Sequence, residues 1–312
     1  MSAPQILATG RCLPSRVVTN EDMSRMVDTS DDWVFSRTGI HQRRFCTTET
    51  GVDLAEGAAR LALERAGVRP EEVGVCLVAT FTPHYCTPST ACLLQQRLGF
   101  PEDTVCFDLN AACAGFLYGL KTAHALLEDA PRPYALLVGS EVISRVTNMN
   151  DRNTCVLFGD GAGAALLRRA EGRSWHTVFG TRGGAEHIRA EGPGPDRAAI
   201  FMDGKPVFRF AVEVIERSIH QLLEAESCTL NDLDWVVCHQ ANARIVDHVS
   251  KKLKARDGLF YKNMERYGNT SAASIPMALD ELVQEGKLRP GMRVLTVGFG
   301  GGLTWAGALF RW

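Results

Sequence analysis

Two strand-containing segments recur in this 312-residue chain at almost one spacing, and that repeat leaves few architectures open. A helical stretch, a short turn, an acidic pair and an apolar run follow one another at residues 61–78 and again at 222–238. Val75 then matches Trp235, a shift of 235 − 75 = 160. Ala135-Leu-Leu-Val-Gly139 matches Val294-Leu-Thr-Val-Gly298, a shift of 294 − 135 = 159. Coincidence is the competing reading, because helix–turn–strand is common in α/β chains. Two distant matches at one shift favour a duplicated βαβ-rich unit. The runs at 73–80, 135–140, 235–238 and 294–298 are apolar on both faces, as strands inside a covered sheet must be. Amphipathic stretches at 53–66, 89–98, 207–226 and 271–285 alternate with them, and three stop at Gly67, Gly99 and Gly286. The spacing predicts one half over 1–170 and another over 171–312. Gly180-Thr-Arg-Gly-Gly-Ala through Pro195 reads as a Gly/Pro loop within the second half.

Composition narrows the function classes. With 45% hydrophobic and 22% charged residues the chain reads as an ordinary soluble globular protein. A formal charge of -2 offers no electrostatic footprint for nucleic acid or a membrane surface. No apolar run approaches the roughly 18 residues of a spanning helix, and the first residues lack the pattern of a secretory signal. The ten cysteines are scattered, with neither a CxxC pair nor zinc spacing. We expect mostly buried thiols, no metal and a reducing, cytoplasmic setting.

Three loops hold the residues suited to chemistry. Cys113 lies in Val105-Cys-Phe-Asp-Leu-Asn-Ala-Ala-Cys113-Ala-Gly-Phe-Leu117, where a strand ends and a helix begins. The positive end of that helix favours thiolate, and the flanking Ala and Gly residues predict open space for a substrate. A cysteine is by default a small buried hydrophobe. His239 ends the strand 235–238, at the edge where open α/β sheets place their sites. A satisfied core histidine is the plainer alternative. Asn269, in Tyr267-Gly-Asn-Thr-Ser-Ala-Ala-Ser274, is either a third member or a helix cap. Together the three define a candidate acyl-transfer site, in which a thiol needs a base or a polarising partner. Val297-Gly-Phe-Gly-Gly-Gly-Leu-Thr-Trp305 fits no phosphate-loop pattern. Its glycines either bring a backbone N–H close to a reacting oxygen or make a tight turn. Phe158-Gly-Asp-Gly-Ala-Gly163 reads as close backbone packing.

These segments make the chain resemble the β-ketoacyl-acyl-carrier-protein synthase III family. They are Asp108-Leu-Asn-Ala-Ala-Cys113-Ala-Gly-Phe, His239-Gln-Ala-Asn242, Gly268-Asn-Thr-Ser-Ala-Ala-Ser-Ile-Pro276 and Phe299-Gly-Gly-Gly-Leu-Thr-Trp305. The resemblance implies an α/β thiolase fold, two similar halves in a five-layer αβαβα sandwich, and a homodimer. It implies that Cys113 takes an acyl group from acyl-coenzyme A, with the N–H groups of Cys113 and Gly301 as oxyanion hole. His239 and Asn269 would hold the thioester of malonyl-acyl carrier protein during decarboxylation. No cofactor, metal or general carboxylate base is implied; coenzyme A enters as a thioester substrate.

The same resemblance assigns coenzyme A contacts to Trp33, Arg37, Arg152, Gly204 and Asn242. Core filling is the alternative for Trp33. It assigns carrier-protein docking to Arg244, Lys251 and Lys252 on a helical stretch that also holds Lys254 and Arg256, for which a solvated face is an equal reading. Thr87, in Tyr85-Cys-Thr-Pro-Ser-Thr-Ala91, replaces a Phe that many members place in the partner subunit's acyl pocket. The smaller residue implies tolerance of longer or branched acyl groups. Two other functions fit the same residues: transfer of the acyl group to a non-malonyl acceptor in secondary metabolism, and an inactive partner subunit of another synthase.

Overall fold

The computed structural model describes residues 2–191 and 199–312. The chain opens with β1 (Ser2–Cys12), then β2 (Arg16–Thr19), α1 (Asn20–Ser24), α2 (Asp31–Thr38) and β3 (Gln42–Phe45). Next come α3 (Gly51–Ala66), β4 (Val73–Ala79), α4 (Thr90–Leu98) and β5 (Val105–Leu109). A 3₁₀ turn (Ala112–Ala114) leads into α5 (Gly115–Leu126), β6 (Tyr134–Glu141), α6 (Arg152–Cys155) and β7 (Gly161–Glu171). After β8 (Trp175–Gly184) and the short pair β9 (Ile188–Arg189) and β10 (Phe201–Met202) stand α7 (Gly204–Glu226), β11 (Trp235–Cys238), α8 (Ala243–Lys252) and α9 (Met264–Tyr267). A second 3₁₀ turn (Ser271–Ala273) precedes α10 (Ser274–Gln284), β12 (Arg293–Gly300) and β13 (Gly302–Arg311).

Two sheets carry the repeat. The first has the order β1-β7-β6-β4-β5 and the second β11-β12-β13-β8. In both, a parallel pair is followed by an antiparallel strand: β4 with β6 then β7, and β11 with β12 then β13. Val75 pairs with Ala135 in the first sheet and Trp235 with Val294 in the second. The residues matched by the sequence shift are therefore cross-strand partners in both sheets. Phe260 bridges Val236 in the place that β5 takes beside β4.

Helices α3 and α4 cover the outer face of the first sheet, and α7 with α8 covers the second. Helices α5 and α10 lie between the sheets, touching β4, β6 and β7 on one side and β11, β12 and β13 on the other. That is the five-layer αβαβα sandwich of the thiolase fold. A helix between two sheets has no solvent face, so α10 buries every residue from Ser274 to Leu282. Its two acids are paired: Asp280 with Arg65 at 2.6 Å and Arg11 at 3.4 Å, Glu281 with Arg266 at 2.6 Å. Unpaired, either charge would cost several kcal/mol at this depth.

The helices start within three residues of where the sequence signals them, α3 and α7 earlier, α4 and α10 later. Thr50 caps α3 with its side chain on Asp53 N–H, and Ser89 caps α4 on Cys92 N–H. One expectation fails: Gly180 to Gly184 is strand, not loop, because Gly180 lets the Trp305 ring lie flat on β8. A Cβ there would fall inside the indole. Residues 185–187 are a bend before β9, and the end of that Gly/Pro stretch, residues 192–195, lies outside the described residues. The expectation of mostly buried thiols also fails. Four of the ten cysteines are buried, while Cys86 and Cys92 are exposed.

Candidate active site

Both central helices begin with the same device. Each follows a 3₁₀ turn whose first residues include a non-glycine in the left-handed region: Ala112 at φ 46° and Ser271 at φ 50°. They are 271 − 112 = 159 residues apart, the repeat shift again. Such backbone costs roughly 1–3 kcal/mol per residue and persists only where its surroundings enforce it. Asn110 Oδ1 accepts the Ala112 N–H at 3.0 Å, and Asn269 Oδ1 accepts the Ser271 N–H at 2.9 Å. The two turns pack against each other and under the end of β12.

Cys113 is in the first turn and is 8% exposed. Gly300 lies directly on it: a Cβ on Gly300 would stand 2.8 Å from Cys113 N and 3.1 Å from its Sγ. Gly115 faces Ala79 and Ala272 at 3.2 and 3.5 Å in the same sense. The small residues around the thiol therefore serve close packing of the two halves, not an open clearing. The expected thiolate is also overturned. Burial pushes the Cys113 thiol up to about 12, with the nearby Glu141 adding to the rise and the Ser271 hydroxyl opposing it. In the free chain the cost of a buried anion outweighs the helix dipole.

His239 is 1% exposed and directly follows β11. Its N–H donates to Val297 O at 2.8 Å, which locks it to β12, and its ring meets Phe299 edge-on at 5.2 Å. Nδ1 lies 2.7 Å from Ser274 Oγ, the first residue of α10. Ser274 Oγ also accepts Gln240 N–H at 3.4 Å; Nδ1 is thus taken by Ser274, while Nε2 has no hydrogen bond among the described residues. Burial holds the ring down to about 3, neutral throughout the physiological range. The plainer reading holds, since the histidine is buried and anchored, and it leaves one nitrogen over for the functional one.

Asn269 is 7% exposed. Its backbone is clamped between strands, donating to Leu157 O at 2.8 Å and accepting Gly159 N–H at 3.0 Å. Gly268, at φ 66° and ψ −161°, makes the entry that only glycine takes readily. Phe158-Gly159 thus packs as expected, and its purpose is to hold Asn269. The cap reading is also correct, since Oδ1 holds the Ser271 turn. Among the described residues Nδ2 has no hydrogen bond, so it remains a free donor. His239, through Ser274, and Asn269, through Ser271, both hold the junction that packs against the Cys113 turn, and a neutral imidazole and a carboxamide N–H there suit polarisation of a thioester carbonyl. Gly301 forms the turn between β12 and β13, 3.6 Å from Ala112 Cβ by its notional Cβ.

Sequence reasoning missed Ser271, Ser274 and Glu141. The two serines differ from ordinary turn residues only in the company that folding gives them. Glu141 had a signal, an acidic residue ending an otherwise apolar buried strand. Among the described residues no cluster of His, Cys, Asp and Glu is arranged to hold a metal, and no helix is long and apolar enough to cross a membrane.

The second group of predicted residues also assembles. Arg37 and Arg152 stack on the Trp33 ring at 4.5 and 4.7 Å from its centroid. Trp33 packs against the core on one side and is partly exposed on the other, so core filling accounts for part of the ring and leaves a face for a ligand. Asn242 caps α8 and donates to Arg37 O at 3.0 Å. Gly39 lets α2 close on α8, since its Cβ would strike Ala243 at 2.4 Å. Gly204 is the exposed first residue of α7 and has no hydrogen bond to this group among the described residues.

On α8, Arg244 and Lys251 are exposed, whereas Lys252 is tied to Glu216 at 2.7 Å. Lys254 and Arg256 are not on the helix, contrary to expectation: it ends at Lys252, and Lys254 turns at φ 51°. Arg256 instead donates to Leu233 O and Asp234 O, both at 3.1 Å. Thr87 is exposed on the loop after β4 and does not join the Cys113 group within one chain.

Known proteins share this arrangement along their whole length. Residues 107–183 match the family described as 3-oxoacyl-[acyl-carrier-protein] synthase III, and residues 223–312 match the C-terminal family of the same enzymes. The β-ketoacyl-[acyl-carrier-protein] synthase III of Clostridium acetobutylicum is 41% identical over 100% of this chain and 99% of its own. The chain belongs to the β-ketoacyl-acyl-carrier-protein synthase III family. Solved structures agree. The synthase III of Aquifex aeolicus superposes with a TM-score of 0.94 at 39% identity, covering 99% of this chain and 100% of that one. The Thermus thermophilus synthase III gives 0.92 at 41%, covering 98% of each. The chain is therefore a thiolase-fold, acyl-transferring condensing enzyme. These relatives do not favour the non-malonyl acyltransferase or the inactive subunit.

Proposed function

We propose that this synthase III starts fatty acid synthesis by joining an acyl-coenzyme A primer to malonyl-acyl carrier protein through an acyl-Cys113 intermediate. The Cys113 sulfur attacks the primer thioester and coenzyme A leaves. The malonyl thioester carbonyl then accepts hydrogen bonds from His239 Nε2 and Asn269 Nδ2. Loss of carbon dioxide places an enolate oxygen between those two donors, and the enolate carbon attacks acyl-Cys113. The N–H groups of Cys113 and Gly301 receive the oxyanion, and 3-oxoacyl-acyl carrier protein is released. The observation that carries this reading is the buried, neutral His239, held by Ser274 through Nδ1 with Nε2 left over, at the junction whose 3₁₀ turn packs against the Cys113 turn. A cationic ring would bind the malonyl carboxylate and oppose its loss; a neutral donor stabilises only the charge that develops.

Trp33, Arg37 and Arg152 would receive the adenine and phosphates of coenzyme A, with Gly204 and Asn242 on the pantetheine side. In the free chain Arg152 rests on Trp33, so it swings aside for the base. Arg244, Lys251 and Lys252 would meet the acidic carrier protein, with Lys252 the weaker because Glu216 already holds it. We take residues 1–170 and 171–312 as the two halves. The exposed edge strand β5, with Val105 38% and Phe107 36% exposed, supports a homodimer that covers that edge. Thr87, on the neighbouring loop, would then reach the partner's acyl pocket and admit long or branched primers. The ten free thiols suit a reducing cytoplasm, where both thioester substrates are found. No cofactor is needed in this scheme.

Product mass spectrometry with malonyl carrier protein and acetyl-, isobutyryl- or octanoyl-coenzyme A tests the reading. The expected products are 3-oxoacyl carrier proteins with one carbon dioxide released for each. Acyl transfer without carbon dioxide release defeats the reaction, and strict acetyl preference defeats the role of Thr87.

A further inference from the structure

Glu141 is fully buried at the end of β6, and the mechanism above leaves it unused. Its Oε2 accepts Thr80 Oγ1 at 3.1 Å, Thr82 Oγ1 at 2.5 Å and Thr82 N–H at 3.2 Å. The Phe81 N–H is shared at 3.3 Å to Oε2 and 3.4 Å to Oε1. Among the described residues that long shared contact is all that Oε1 accepts, so it has capacity to spare. Ser271 Oγ is buried too, and it completes no hydrogen bond of regular geometry. A buried hydroxyl without a settled partner calls for a reason. Its place supplies one: the Ser271 turn packs on β6 from one side and on the Cys113 turn from the other. Gly139, two residues before Glu141, accommodates Ala272 O where a Cβ would come within 2.4 Å. Ser271 thus lies on the turn packed between the Cys113 turn and the strand of Glu141, with its buried hydroxyl unpartnered there among the described residues.

We propose that Glu141 stores the proton of the Cys113 thiol during acylation, reached through the Ser271 hydroxyl. The inference rests on Cys113 being the acyl acceptor, as argued above. As the sulfur–carbon bond forms, the S–H bond breaks and the proton moves to Ser271 Oγ. The hydroxyl proton moves to the Glu141 carboxylate, which becomes a neutral acid. The carbon–sulfur bond to coenzyme A then breaks and its thiolate leaves with the electron pair. Glu141 then gives its proton to Ser271 Oγ, whose hydroxyl proton goes to the departing coenzyme A thiolate beside the acylated sulfur, so the products are acyl-Cys113 and coenzyme A thiol.

The geometry favours this over a purely structural carboxylate: Glu141 Oε1 keeps acceptor capacity to spare, and among the described residues the buried Ser271 hydroxyl has no partner on the turn packed between β6 and the Cys113 turn. The charge states agree. Burial lifts Glu141 to about 7, where a carboxylate can both take and return a proton near neutral pH. The thiol meanwhile is protonated in the free chain, so a nucleophile has to be made when the substrate arrives. In this scheme Ser271 touches the reacting thiol, and Glu141 acts only through Ser271.

The test is rapid-quench acylation of the full-length enzyme by acetyl- or isobutyryl-coenzyme A without malonyl carrier protein, read as acyl-Cys113 by mass spectrometry. Glu141→Gln and Ser271→Ala should each slow acylation about 100-fold at saturating thioester, the scale of general-base catalysis. The half-saturation constant should stay constant. The double variant should be no slower than the slower single, because both changes break one path. Glu141→Asp should recover part of the rate. Wild-type acylation by Glu141→Gln, or losses that multiply in the double variant, overturns the relay. If Glu141→Gln does not fold, Ser271→Ala decides by the same rate criterion. Failure of the wild-type enzyme to form acyl-Cys113 instead overturns the proposed function.

Discussion

Gly300→Ala is the substitution whose effect follows most directly from distances. Its Cβ would lie 2.8 Å from Cys113 N, 2.9 Å from Cys113 Cβ and 3.1 Å from Sγ, where ordinary contact begins at 3.4 Å. Clearing the Cβ contact takes a shift of roughly half an ångström (3.4 − 2.9). Two of the three atoms cannot rotate away, since one is backbone and the other is bound to it. Strand β12 cannot retreat either, because Gly300 is registered against Thr304 in β13. The displacement therefore falls on the thiol and on its own N–H, the two groups that acyl transfer uses. A misplacement near 1 Å costs about 100-fold, so we expect acylation slowed about tenfold to a hundredfold. Overpacking should also remove about 1–3 kcal/mol of stability. The same change at Gly301 meets its nearest atoms at 3.6 and 3.8 Å, so its loss should be at least tenfold smaller. Rapid-quench acylation and thermal melts of both variants decide the matter. Gly300→Ala acylating at the wild-type rate would refute the packing argument.

Other outcomes follow from the same contacts. Gly268→Ala forces a β-carbon into φ 66°, 2.9 Å from Leu157 O, and should cost about 1–3 kcal/mol while displacing Asn269; carbon dioxide release from malonyl carrier protein should fall with it. Trp33→Ala should raise the KM for acyl-coenzyme A about tenfold at unchanged kcat, since it removes the ring that Arg37 and Arg152 flank. Glu141 gives a pH signature in stability. Its folded value near 7 lies above 4.5, so between those values the folded chain holds a proton that the unfolded chain lacks. Stability contributed by the protonated form is complete below 4.5 and declines as pH rises, by roughly 3 kcal/mol above 7. His239 changes the other way below 6.5, but it is common to both proteins and cancels. Urea titrations should show the stability of Glu141→Gln relative to wild type rising from pH 5 to pH 8; a constant difference contradicts the burial argument.

Much of the fold was legible because period and repeat are properties of local order. Val75 and Trp235 share an environment, so they share a residue class, and the shift between them survives as strand register. Cys113, His239 and Asn269 were legible because each ends a segment whose periodicity is plain. The charge state of the thiol was not, because burial depends on Gly300 and Ala272, which are distant in sequence. Lys254 and Arg256 were misplaced for a related reason. Helix α8 stops where Lys254 turns left-handed, and neither Gly nor Pro marks the stop. Glu141 directly follows the apolar run 135–140, and only the second half of the chain, folded over it, supplies Ser271.

The central claim is that one sulfur carries the acyl group between two thioesters. Peptide mapping after exposure to acyl-coenzyme A, followed by a chase with malonyl carrier protein, tests it most directly. The account predicts one acyl group per chain on Cys113, none in Cys113→Ala, and its transfer in the chase with an equal amount of carbon dioxide. An acyl group on any other residue, or one that leaves Cys113 without carbon dioxide, would contradict it.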